Sequence, residues 1–371
     1  MTMAGLAFSN LARRAARTLL TVLGIALAVG TAVALLALAR GVAESVGRGL
    51  DETGAEFVVA PRNATGVLSS RLPESVGGVI AAMSGVESVS GELYAFTVTA
   101  DNQSVLIAGW SRNAAGWKEA PLRSGRLPEP DRREILIGDS LAEGLGLAAD
   151  DEIDLFDETF EVVGVTGYAT AMNRSMVIMP LAALQEAALR EGQVSFFTVR
   201  LVAELDEAAR DRVRQAIERE LPVVVSDTEE ILDRDMNYEI LQAISSAVSL
   251  VALVSGAVSL LATLLISVQE RTREIGMMAA IGWSDGRIVA LIVIEGVLIG
   301  LAGCVLGVVL GVAASALFDR LPAIGGFVSF TPRAADMALP LLFALPLCAA
   351  GAAYPAWRAV RLMPADALRR A

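Results

Sequence analysis

Histidine is absent from the 371-residue chain, and cysteine occurs only at Cys304 and Cys348. The first absence excludes histidine general bases, Ser-His-Asp triads and histidine metal ligands together. The second excludes a disulfide framework or a cysteine-rich zinc site, because both thiols fall inside apolar runs. Lysine is nearly missing: of 30 basic residues only Lys118 is one. Charge is sparse at 19% of residues, whereas 54% are hydrophobic and the mean hydropathy is +0.56. A soluble globular domain carries about 25% charged and about 45–50% apolar residues. Both departures argue against a simple soluble enzyme.

The net charge of −12 is unevenly placed. Residues 40–239 hold 35 acidic and 18 basic residues, and the rest of the chain holds 7 and 12. The acidity belongs to one polar block, and the basic excess lies in short segments beside apolar runs. No basic surface for nucleic acid is visible.

Spanning the hydrocarbon core takes about 20 apolar residues. Four segments qualify. Residues 18–39 are 22 uncharged residues, 240–269 are 30, and 337–357 are 21. Residues 288–318 carry one charge, Glu295. The first run is too long for the h-region of a signal peptide, which is about 7–15 residues, so it reads as a retained anchor. Arginines set the orientation. The N-terminal flank, residues 270–287 and the C-terminal tail hold ten arginines, against Arg320 and Arg333 between the third and fourth spans. Both termini and the 270–287 loop are therefore expected in the cytoplasm, in a multi-pass protein of the cell (inner/cytoplasmic) membrane.

The expected organisation is a cytoplasmic amphipathic helix at 1–17, spans at 18–39, 240–269, 288–318 and 337–357, and an extracytoplasmic α+β domain with its stalk at 40–239. A cytoplasmic loop at 270–287, an external loop at 319–336 and a cytoplasmic tail at 358–371 complete it. The fold class is thus a membrane protein of four transmembrane helices (1 + 3) with a large domain inserted between the first two.

Within that domain, strands are expected at 57–59, 92–99, 104–108, 161–165, 176–179, 196–201 and 222–225, and helices at 75–83, 140–145, 181–189 and 206–221. The segment around Pro121, Gly125, Pro128 and Pro130 predicts a loop that could separate two lobes. Ser226-Asp227-Thr228-Glu229 has the S-x-x-E form of a capping box, which predicts a helix from Asp227 to about Arg271. Such a rod would carry displacement, whereas two helices kinked at the membrane surface would lose it. The acidic run Asp150-Asp151-Glu152-Ile153-Asp154 lacks the spacing of a calcium loop and reads as solvated surface.

Residues 269–287 are the most specific stretch. Charges at Glu270, Arg271, Arg273 and Glu274 precede Ile275, Met278 and Ile281 at helical spacing. This is an amphipathic piece able to sit in a protein groove, although charged residues also cap any helix leaving a bilayer. In the third span Gly296, Gly300, Gly303, Gly307 and Gly311 form a small-residue face for close helix packing. Static packing is the simpler reading and a sliding surface the alternative. Glu295 lies about 10 Å in from Ile288 at 1.5 Å per residue, a costly depth for a charge. An interhelical hydrogen bond or a protonated carboxyl would resolve it.

Glu270-Arg271-Thr272-Arg273-Glu274-Ile275-Gly276 with Ala280-Ile281-Gly282 resembles the signature of the permeases grouped with the macrolide exporter MacB, FtsX and the lipoprotein-releasing LolC/LolE. The opening Asn10-Leu11-Ala12-Arg13-Arg14, the tail from Tyr354 to Arg369, Gly125-Arg126, and Phe160-Glu161-Val162-Val163-Gly164-Val165 are similar to that family too. The likeness covers the whole chain in the family's order. It implies an ABC-transporter permease working by mechanotransmission. Two ATP-binding subunits would serve a pair of permease chains, homo- or heterodimeric, with membrane lipid around them and a periplasmic adaptor as a further candidate partner. Glu270, Arg271, Arg273, Glu274, Ile275, Gly276, Met278, Ala280 and Gly282 would form the coupling to the ATPase. MacB carries a fused ATPase domain, but no G-x-x-x-x-G-K-[ST] loop occurs in these 371 residues. The expectation is therefore a non-catalytic subunit with no cofactor or metal of its own, ATP and Mg being held by the partner. The alternatives are an FtsX-like scaffold that activates an extracytoplasmic partner, and a membrane sensor without an ATPase. The substrate is not readable from these residues.

Overall fold

The computed structural model describes residues 3–13, 15–62, 64, 66–99, 103–203, 205–228, 235–318 and 332–361. The chain forms two compact units: Met1–Leu38, Gln242–Leu317 and Phe330–Ala371 make one, and Ala39–Leu241 with Phe318–Ser329 make the other.

The elements in chain order are α1 (Met3–Arg13), α2 (Ala15–Asp51), β1 (Phe57–Pro61), β2 (Leu72–Pro73), α3 (Val76–Ala81), β3 (Val86–Val98), β4 (Ser104–Trp110), α4 (Gly116–Glu119), β5 (Leu122–Gly125), β6 (Glu134–Gly138), α5 (Asp139–Leu145), β7 (Glu152–Leu155) and β8 (Glu158–Thr166). There follow α6 (Ala171–Arg174), β9 (Met176–Pro180), α7 (Leu181–Ala187), β10 (Gln193–Val194), β11 (Phe196–Leu201), α8 (Glu207–Glu220), β12 (Val223–Asp227), α9 (Met236–Glu270), α10 (Thr272–Ala280), α11 (Asp285–Phe318) and α12 (Ala334–Val360).

Among the described residues, α2, α9, α11 and α12 are the four helices long and apolar enough to cross a bilayer. Their shared core includes Ile25, Val29, Leu260, Leu264, Ile299 and Cys348. Lipid-level helices must approach through small residues, since lipid offers no hydrophobic drive between them. Here α11 divides its glycines between two neighbours. A Cβ on Gly296 would sit 2.6 Å from the Cβ of Ala352, and one on Gly300 would sit 2.9 Å from that of Cys348, both on α12. On α2, the corresponding distances are 2.6 Å from Gly303 to Ile25, 2.7 Å from Gly307 to Val29 and 2.8 Å from Gly311 to Val33. Pro340, Pro346 and Pro355 lie inside the continuous helix α12.

The extracytoplasmic unit is built on a ten-stranded mixed sheet, in the order β12-β1-β11-β3-β4-β9-β6-β8-β5 with β7 paired to β8. Successive side chains of a strand point to opposite faces. Phe57 and Val59 of β1, with Val177 and Met179 of β9, join one core; Val58 and Ala60, with Met176 and Ile178, join a second. Both faces are covered, so β6 and β9 are buried along their whole length. The fold class read from the sequence, one span, an α+β domain and three further spans, is the one observed.

Three local expectations are corrected. The proline-rich segment holds the edge strand β5 of the ten-stranded sheet, which runs on across the expected lobe boundary; β10 and β2 pair in a separate two-stranded sheet. β6, β5 and β7 were not anticipated, because the apolar core of β6 is only three residues, Ile135-Leu136-Ile137, and β7 hides in the acidic run. There Glu152 and Asp154 face solvent while Ile153 and Leu155 are buried. The helix expected from Asp227 does not begin there, since Asp227 pairs with Phe57 at the end of β12. Instead α9 starts at Met236, capped by Asp235, whose carboxylate accepts from the backbone N–H of Asn237 at 2.9 Å and of Tyr238 at 3.2 Å. Glu229 lies outside the described residues. From Met236 to Glu270 the helix is unbroken, 35 residues and about 52 Å long.

Candidate functional site

The corner formed by α9, α10 and α11 gathers the residues singled out between 270 and 295. Two breaks in the helical pattern make α10 a separate element. Arg271 leaves helical geometry between α9 and α10. At the other end Gly282 adopts φ +93°, its N–H donating to the Ala279 carbonyl at 3.1 Å and the Trp283 N–H to that of Met278 at 3.0 Å. That pair of bonds is a Schellman stop, which favours glycine because the left-handed residue carries no Cβ penalty. Gly282 thus ends the helix and contributes no side chain to it.

Charge fixes the start of α10. The Arg271 guanidinium donates to Glu295 Oε1 at 2.9 Å from Nη1, and to Glu274 Oε2 at 3.0 Å from Nε. The Arg271 side chain is 12% exposed and that of Glu295 4%. Asn10 Nδ2 on α1 donates to the same Glu295 oxygen at 2.7 Å. Glu295 is thus engaged in interhelical hydrogen bonds from α1 and from the end of α9. Beside it, Arg17 grips Glu270 bidentately at 2.8 and 3.0 Å. The cluster therefore joins the N-terminal segment, the end of α9 and the first turns of α11.

Apolar contacts fix the rest. Ile275 is buried with Val268, Ile288, Ile292, Ala356 and Ala359, and Met278 packs partly against the same cluster. Gly276 is buried. Ile275 and Met278 were expected to plug a partner's groove, but they anchor α10 to its own unit. The opposite face presents Arg273, Glu274, Ala280, Met277 and Ile281 to solvent. The last two are 49% and 76% exposed. Asn10 and Arg17 were not recognised as partners of Glu295 and Glu270. The available signal was the pairing of opposite charges just outside two successive apolar runs.

A second cluster, unforeseen from sequence, lies in the extracytoplasmic unit. Glu92 on β3 is buried and accepts from Thr198 Oγ1 at 2.9 Å and from the Tyr94 hydroxyl at 3.1 Å. Burial pushes its carboxyl up to about 7, against the partial counter-effect of those two bonds. Burial, then the adjoining Glu92 charge, holds the Tyr94 phenol well above its ordinary value. By contrast, Arg126 donates to both oxygens of Glu134 at 2.6 and 2.7 Å and lowers that carboxyl to about 2. The Gly125-Arg126 motif is thus a structural clamp: Gly125 turns at φ +80° against the Val163 carbonyl, and Arg126 ties the following loop to β6. Among the described residues no group of acids and cysteines is arranged to hold a metal ion.

Comparison with known families matches residues 18–219 to the MacB-like periplasmic core domain and residues 246–364 to the FtsX-like permease C-terminal domain. The chain belongs to the MacB/FtsX-like permease family. An uncharacterized ABC transporter permease of Methanocaldococcus jannaschii is 22% identical over 98% of this chain and 96% of its own length. The macrolide export ATP-binding/permease protein MacB of Rhodospirillum rubrum is 26% identical over 95% of this chain, which spans 58% of that relative's length. The solved periplasmic region of MacB from Actinobacillus actinomycetemcomitans aligns with 49% of this chain and 92% of its own, at 13% identity and a TM-score of 0.39. This MacB/FtsX-like chain is accordingly a multi-pass membrane permease of the ABC-transporter type.

Proposed function

We propose that this permease couples ATP hydrolysis on a separate ATP-binding subunit to movement of its extracytoplasmic domain, and so drives export or extraction of a substrate from the membrane or periplasm. The supporting observation is α10. It is a nine-residue helix bolted to its own unit by Arg271–Glu295 and Ile275, and it offers Arg273, Glu274, Met277 and Ile281 outward. Exposed apolar residues ringed by charge suit a docking surface. A force applied there reaches α9 and α11 through the Arg271 cluster rather than being lost in a loop.

The excess of arginine beside the spans supports a cytoplasmic position for α10 and both termini, where ATP is available. Two ATP-binding subunits, each holding ATP and Mg, would serve two permease chains. The fused arrangement named in the MacB relative supports this pairing of functions.

Changing Arg273→Glu together with Ile281→Asp alters two exposed side chains and leaves the buried anchor intact. Co-purification with an ATP-binding subunit from the native membrane is expected to be lost while the permease stays in the membrane at wild-type level. If the complex survives both changes, α10 is not the docking element.

A further inference from the structure

A cavity of about 350 Å³ opens in the extracytoplasmic unit beside the first turns of α9. Val42 and Val46 of α2, Leu68, Tyr94, Phe96 and Leu241 make its wall mostly apolar. Phe96 is 65% exposed and the nearby Val98 52%, so the apolar surface continues past the rim. A pocket of this size is within the range that holds small ligands.

Two charged groups line it, and their circumstances differ. Asp235 is satisfied by three backbone N–H donors, from Val67 at 2.8 Å, Asn237 at 2.9 Å and Tyr238 at 3.2 Å. Arg190 is not satisfied, because its Nη1 is buried without a hydrogen-bond partner. Burial, then repulsion from Arg71, holds the Arg190 guanidinium below its ordinary value. Among the described residues neither Arg71 nor Arg190 forms an ion pair, in a block with 35 acidic and 18 basic residues. Arg190 is half-buried and Arg71 exposed, so the unpartnered Nη1 and the neighbouring charge are both open to an anion. Val42 lies three residues past the charge-free run ending at Ala39, and Leu241 lies in the run beginning at Ile240. At 1.5 Å per residue the lining therefore starts within one helical turn of membrane-spanning sequence.

We propose that this cavity binds an anionic membrane phospholipid, its acyl chain against Val46, Leu68 and Phe96 and its phosphate on Arg190 and Arg71. Apolar walls with a cation at one side match both ends of such a molecule. A second copy of the chain fits less well, because a symmetric interface centred here would bring the same two arginines, while the one lining acid, Asp235, is already engaged by three backbone donors. The proposal does not depend on α10 docking, and its test needs no ATPase.

The full-length chain in detergent micelles is exposed to phosphatidylglycerol or phosphatidylcholine carrying a photoactivatable group on the acyl chain. Labelled peptides within residues 66–98 are then quantified. Phosphatidylglycerol is expected to label this segment about tenfold more, the ratio that about 1.4 kcal/mol of preference gives. The pair Arg71→Gln and Arg190→Gln should bring the ratio to about one. Arg287→Gln, exposed on the first turn of α11 and outside this unit, should leave it unchanged. Ser69→Trp, at an exposed lining position, should suppress labelling by both lipids in protein that remains monodisperse. Equal labelling of the wild type by the two lipids, or a preference that survives the double change, overturns the proposal. A disulfide forming between two chains through Ser69→Cys would also overturn it, by giving the cavity to a second copy.

Discussion

Glu92 and Glu134 are both buried, yet their surroundings push them in opposite directions. Glu134 faces the Arg126 fork, whereas Glu92 has only a hydroxyl and a phenol to satisfy it. A carboxyl raised from an ordinary value near 4.5 to about 7 costs stability as pH climbs. Below pH 4.5 it is neutral folded and unfolded. Between 4.5 and 7 the unfolded chain ionises first, so stability falls by roughly 3 kcal/mol and stays reduced above pH 7. Glu92→Gln, neutral at every pH, should therefore raise the tryptophan-fluorescence melting temperature by several degrees at pH 8 and change it little at pH 4. An equal difference at both pH values would mean that ionisation of Glu92 is not responsible. At another buried acid, Glu295, a cation is brought alongside: Arg271 donates to its Oε1 at 2.9 Å.

At the scale of elements, the glycines of α11 set how closely its neighbours approach. A side chain at Gly307 would meet Val29 Cβ at 2.7 Å and the Ala26 carbonyl at 2.8 Å. Gly307→Leu should cost about 1–3 kcal/mol by overpacking and should lower the midpoint of heat-induced aggregation in detergent. Gly286→Ala, where a Cβ meets nothing within 4 Å, serves as the neutral control. Such packing was partly readable beforehand, because four-residue spacing puts small residues on one helical face. Which helix each glycine meets was not, because that depends on where α2 and α12 come to lie. The same limit appears at α10. Periodicity identified the apolar stripe Ile275, Met278 and Ile281, but tertiary packing splits it, with Ile275 inside and Ile281 outside. In the extracytoplasmic unit, β-branched runs such as Val177-Ile178 announce buried strands. A short strand like Glu152–Leu155, with acids on its wet face, resembles a loop until its partner β8 is known. The capping-box pattern at Ser226 failed for a related reason: pairing of β12 with β1 outweighed a local helix start.

For the whole molecule, the acidic block and the arginine-flanked spans make a sidedness prediction. Single cysteines placed at Asn113 and Glu207, in a Cys304→Ala/Cys348→Ala background, should react with a membrane-impermeant maleimide added outside intact cells. A cysteine at Arg273 should react only after the membrane is opened. Labelling of all three from the same side would reverse the reading of the 40–239 block. The glycine row of α11 also bears on how such a molecule can move. Gly303, Gly307 and Gly311 receive Ile25, Val29 and Val33 of α2, with both rows spaced by four residues. A slide of about 6 Å would leave only two of the three branched side chains on glycine, with Ile299 or Ser315 under the third, whereas shorter slides would press them onto the larger residues between. The contact therefore behaves as a detent with one fully seated station, so any axial shift of α2 along α11 has to give up a notch.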